Sequence, residues 1–142
     1  MSKTPRTHLD DLPFHRRHHI PFSYYQNHLL DIPEGGARKT GNNERVRRVL
    51  DDLFVFRYHG NEIVSLCLGS QKERRLTLNY CGWHTVSTTS HINGILARLR
   101  RDFEFVPYFN VCLVDRTPTI YTRPIDNPHN LQIVGTGCWS LV

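Results

Sequence analysis

At 142 residues, with 39% apolar content and seven Phe, six Tyr and two Trp, the chain is long enough for one domain with a core that needs no staple. A formal net charge of +5, from 18 Lys+Arg against 13 Asp+Glu, points to an anionic partner without singling one out. No apolar run approaches the ~20 residues of a spanning helix, and MSKTPRTHLDDLPFHRR lacks an apolar h-region, so a cytoplasmic protein with no membrane contact is expected.

The first 44 residues read as an extended arm. Pro5, Pro13, Pro21 and Pro33 recur through it, Gly35-Gly36 and Gly41 close it, and only Tyr24–Ile32 suggests a helical turn or two. Its Phe14, Phe22, Tyr24 and Tyr25 are too many for a disordered tail, so docking on the domain or on a second copy of the chain is expected, the latter giving a homo-oligomer. From Arg45 the pattern turns β. Leu53–His59 and Glu62–Leu68 flank Gly60-Asn61, a two-residue hairpin signal that opposes Phe54 to Cys67 and Phe56 to Ser65. One face then carries Phe54, Phe56, Tyr58, Ile63 and Cys67 as core, and the other carries Leu53, Val55, Leu66 and Leu68 at its base with Arg57, His59 and Glu62 at its tip.

Arg75–Tyr80 is a third strand. A hydroxyl-dense run follows Gly82-Trp83, and Ile92, Ile95, Leu96 and Leu99 then mark the buried face of a helix over about Thr89–Arg101, capped by Thr88, Thr89 or Ser90. Tyr108–Asp115, Thr119–Thr122, Leu131–Val134 and Cys138–Val142 read as further strands. The fold class is therefore α+β: an antiparallel sheet of about six or seven short strands, one central amphipathic helix and an irregular arm over 1–44, with 45–142 as the domain. Cys67, Cys81, Cys112 and Cys138 form no Cys-x-x-Cys pair and read as reduced, partly buried thiols.

Several segments together resemble a family. Arg57-Tyr-His59-Gly-Asn-Glu62-Ile63-Val64, then Leu76-Thr-Leu78-Asn79, then Gly82-Trp83-His84-Thr85-Val-Ser-Thr88-Thr89 and Ile92-Asn93 are similar to a small protein widespread among tailed bacteriophages. Lys39-Thr-Gly-Asn-Asn43 is similar as well, so the match spans about residues 39–97. His84 and His91 stand where that family tends to have arginine, and Glu62 where it tends to have aspartate. The resemblance implies a phage origin, hence the cytoplasm of an infected bacterial host, and no particular chemistry.

Three constellations carry the functional expectations. Arg57, His59 and Glu62 at a hairpin tip fit a cross-strand ion pair, or an acid/base histidine with a phosphate-holding arginine. Thr85, Ser87, Thr88, Thr89 and Ser90 before a helix fit an anion cradle, or one N-cap with strand-end neighbours. Trp83 is either a core anchor or a platform for a stacked base. In the arm, His15-Arg16-Arg17-His18-His19 with His28 fits a grip on a phosphate backbone or a solvated segment; no carboxylate or cysteine stands at ligand spacing, so no metal is expected.

The expected function is an accessory protein that binds an anionic ligand, nucleic acid first, without a cofactor, and so interferes with a host function or defence. Its surface would comprise Arg57, His59, Trp83, His84, Thr85, Thr88, Thr89 and His91, with Arg16 and Arg17 from the arm. Three alternatives stand beside it: a metal-independent phosphodiesterase or RNase using His59, Arg57 and Glu62, an inhibitor of a host protein with an acidic surface, and a virion component. The binding reading requires the hairpin apex and the front of the helix to lie side by side.

Overall fold

The computed structural model describes residues 28–69, 74–122 and 131–141. Contacts divide the chain into a unit ending at Asp31 and a unit from Ile32 to Val142. Among the described residues of the first, a 3-10 turn, Leu29–Asp31, is tied by His28, whose N–H donates to Asp31 Oδ2 and whose Nδ1 accepts from Leu30 N–H. The rest of the expected arm up to residue 27, with Arg16, Arg17 and most of the histidine cluster, lies outside the described residues.

The second unit is α+β. Strands β1 (Ala37–Gly41), β2 (Glu44–Leu50), β3 (Leu53–Tyr58), β4 (Asn61–Cys67), β5 (Arg75–Asn79), β8 (Leu131–Gly135) and β9 (Cys138–Leu141) form an antiparallel sheet of order β1-β2-β3-β4-β5-β9-β8. A separate hairpin joins β6 (Phe109–Val114) and β7 (Thr117–Thr122), and α1 (Val86–Asp102) lies between β5 and β6 in the chain. These are all the strands and α-helices among the described residues.

Alternation along each strand divides the sheet into two chemical faces. One row of paired residues runs Val46–Phe56–Val64–Leu78–Trp139 and the next Phe54–Leu66–Leu76–Leu141. Apart from Leu141 these residues are buried. α1 packs on β3, β4 and β6, presenting the expected Ile92, Ile95, Leu96 and Leu99, all buried. Each large apolar side chain so enclosed is worth about 1.5–3 kcal/mol. Asn93 fixes the β6–β7 hairpin to the helix: its Nδ2 donates to the Val111 carbonyl at 2.9 Å and its Oδ1 accepts the Val111 N–H at 2.7 Å. The side-chain amide thus fills the place of a third strand at that point.

Four sequence expectations need correction. The turn of the β3–β4 hairpin is His59-Gly60 rather than Gly60-Asn61, because both central residues of this tight turn take positive φ, +52° and +82°. With a bulge at Ile63, the register opposes Phe54 to Leu66 and Phe56 to Val64, so Leu66 joins the core face and Cys67 leaves it. Inside the expected arm, Ala37–Gly41 is a strand, closed onto β2 by Asn42-Asn43 with Asn43 at φ +59°. The helix starts three residues early. Thr85 is its N-cap, accepting Thr88 N–H on Oγ1 at 3.1 Å, so Thr88 and Thr89 lie within the first turn.

Candidate nucleic-acid interface

The face of the sheet turned away from α1 is basic at one end. Lys39 of β1, Arg45 of β2 and Arg57 of β3 are directly paired neighbours in one row, which continues to Glu62 of β4. The adjacent row brings Arg47 between Ala37 and Val55. Neighbouring strands lie about 4.8 Å apart and same-face residues about 6.8 Å apart along a strand, so these four cations crowd one small area. They line a concavity of about 500 Å³ floored by Val55 and rimmed by Asn42, Asn43, His59 and Gly60.

Counter-charge is scarce there. Arg57 and Glu62 approach only to 4.0 Å, and Arg47 donates to the Gly35 carbonyl at 3.1 Å. Among the described residues, no carboxylate pairs with Lys39, Arg45 or Arg47. Glu44, although next to Arg45, belongs to the opposite face by alternation. Its carboxylate accepts from Thr40 Oγ1 at 2.6 Å and meets His91 Nδ1 at 2.6 Å. Like charges directly opposed across strands cost stability, so this row of three cations is a burden to the isolated fold.

A second concavity, of about 480 Å³, opens at the hairpin tip against the front of α1. Tyr58, His59 and Asn61 line one side, and Trp83, Thr85, Ser87 and Thr88 the other. The two sides are joined by a 2.7 Å hydrogen bond between the Tyr58 and Ser87 hydroxyls, and the His91 ring stacks on Tyr58 at 3.8 Å. The hairpin apex and the helix start therefore do lie side by side, and His59 borders both concavities.

Trp83 is held by a rigid turn. Its N–H donates to the Tyr80 carbonyl at 2.9 Å across Cys81 and Gly82, which have φ of +55° and +81°. Glycine is needed at 82 for that conformation, while Cys81 is held in it from two sides. Its N–H donates to Asn79 Oδ1 at 2.7 Å and its Sγ–H to the Glu62 carbonyl at 3.1 Å. Burial, then the charge of Glu62 and that of Cys138, push the Cys81 thiol above its ordinary range, which keeps it a proton donor. Trp83 ends 60% exposed, whereas Trp139 is 5% exposed in the core. The core-anchor alternative thus belongs to Trp139 alone.

Thr88 is buried, and Thr85 is occupied by the cap and by Thr88 Oγ1 at 3.0 Å. Thr89 Oγ1 donates to the Thr85 carbonyl and meets the Tyr80 hydroxyl at 2.7 Å. His91 fastens the helix to Glu44, and His84 stands edge-on to Tyr80 at 5.9 Å. These side chains hold the helix front in place. No hydrogen bond joins His59 to Glu62 among the described residues; Glu62 faces Arg57 instead. Lys39, Arg45 and Arg47 were not among the expected binding residues. The Arg45-Val46-Arg47 alternation could have assigned two of them to one face, but Lys39 needed a strand that composition did not suggest.

Among the described residues no three of His, Cys, Asp and Glu gather as metal ligands, and no helix is long and apolar enough to cross a membrane. The four cysteines are free. Comparison with protein-family models, with curated proteins and with solved structures returns no match to this chain.

Proposed function

We propose that this protein binds nucleic acid through the basic face of its sheet. The observation that carries the reading is the row Lys39–Arg45–Arg57, three like charges set shoulder to shoulder, beside Arg47 and with Glu62 as sole counter-charge in the row. A phosphate backbone turns that mutual repulsion into attraction, and guanidinium groups suit bidentate phosphate contact. The setting is a phage accessory protein that occupies nucleic acid in the host cytoplasm and thereby interferes with a host function or defence. That part rests on the resemblance of residues 39–97 to the small tailed-phage family. Occupancy rather than turnover fits a His59 that no carboxylate among the described residues orients, Glu62 facing Arg57 instead.

Binding to a labelled oligonucleotide, titrated over a range of salt, tests the reading. Affinity should fall with a log–log slope of about −0.9 per phosphate neutralised on duplex and about −0.7 on single strands. The double variant Arg45→Glu, Arg57→Glu should bind far more weakly and with a shallower slope. A slope of zero, or a double variant that binds like the parent, refutes it.

A further inference from the structure

We infer that the concavity at the hairpin tip holds an unstacked base, so that the preferred ligand is a single strand rather than a duplex. This rests on the backbone-binding reading above. Three features of the molecule converge on it. Trp83 leaves 60% of its surface in water, although the chain has an apolar core that accepts Trp139. A Trp indole kept outside a core, on a turn fixed by Asn79, Gly82 and Cys81, is a rigid face for stacking.

The walls suit a base as well. At about 480 Å³ the concavity falls within the range of small-ligand sites, and it combines aromatic surface from Tyr58 and Trp83 with the Asn61 amide and the Ser87 hydroxyl. Asn61 offers both donors and an acceptor to a base edge. Within a duplex the base faces are hidden by their neighbours in the stack, so only a splayed nucleotide fits such a hollow.

Continuity supplies the third feature. His59, at φ +52° in the hairpin turn, borders this concavity and the basic one. A strand whose phosphates follow Arg57 and Arg45 along the sheet can pass His59 and place its next base against Trp83. The two hollows would divide a strand's chemistry between them, charge on the sheet side and ring on the helix side.

Three probes of equal length, about 12 nucleotides to stay within the span of small single-strand sites, decide the matter: oligothymidylate, a duplex, and a wholly abasic strand with the same phosphates. Oligothymidylate should quench tryptophan fluorescence and bind about 5- to 150-fold tighter than the abasic strand, the range of one stacked base. Trp83→Ala should abolish that difference. Equal affinity for oligothymidylate and the abasic strand, both falling with salt, overturns the base site and leaves backbone binding intact. Tightest binding to the duplex does the same. Salt-independent binding of all three overturns both readings. Quenching by free thymidine monophosphate as strong as by the oligomer assigns the hollow to a mononucleotide and overturns the single-strand inference.

Discussion

The two faces of the seven-stranded sheet are made from the same strands, residue by residue in alternation, yet they serve opposite ends. Val46 and Phe56 point into the core beneath α1, while their chain neighbours Arg45 and Arg57 stand on the far side beside Lys39. The helix side is mostly apolar and closely packed, and its Glu44 is met by Thr40 and His91. The far side carries adjacent cations, with Glu62 as their one neighbouring carboxylate in the row. Stability is thus concentrated on one face, and the other departs from what stability alone would select. Under the proposed function, that departure is what a nucleic-acid partner would offset.

Breaking each face separately sharpens this contrast. Phe56→Ala, at a site only 1% exposed, should remove about 3–5 kcal/mol from unfolding in denaturant. Its effect on oligonucleotide binding should follow loss of folded protein alone. Arg45→Thr should do the reverse. Taking the middle cation from the row removes two like-charge contacts and should raise stability by roughly 0.2–1 kcal/mol, while weakening oligonucleotide binding. A destabilised Arg45→Thr protein would mean that the row is held together by something other than its fold.

The smallest effect concerns alkaline pH. Burial raises the Tyr80 phenol above 10.0, against the lowering effect of its hydrogen bond with Thr89, and burial with the Glu62 and Cys138 charges raises the Cys81 thiol above 9.0. Both folded values exceed the unfolded ones, so this contribution to stability is complete below about pH 9 and is lost as pH rises through the folded values. Melting temperature followed from pH 8 to 10.5 should therefore decline. Because both groups lie on the segment that carries Trp83, the Trp83 fluorescence should change in the same interval.

Much of this was legible in the residues. Seven of the nine described strands and the buried stripe Ile92, Ile95, Leu96 and Leu99 follow from periodicity and turn residues, whereas the meeting of hairpin tip and helix front was a requirement that the tertiary structure met. The eighth, Glu44–Leu50, was visible as an imperfect alternation, since Arg48 enters the inner row beside Phe54 and donates to the Ile32 and Asp51 carbonyls. The ninth, Ala37–Gly41, has no apolar alternation to betray it. It exists because β2 offers it a hydrogen-bonding edge and Asn43 tolerates the left-handed turn between them.

Sequence by itself determined the fold class, the helix face and the excess of arginine, because these depend on composition and on periods of two and 3.6 residues. Tertiary structure decided the rest. Which of two adjacent residues forms a turn depends on φ at both centres, and that choice of His59-Gly60, with the bulge at Ile63, set which side chains share a face. Only the lateral pairing of three strands could bring Lys39, Arg45 and Arg57 into one row. Only a turn braced from two neighbouring strands could hold one tryptophan out in solvent while the other filled the core. Cross-strand neighbours are far apart in the chain, and no local pattern encodes their distance.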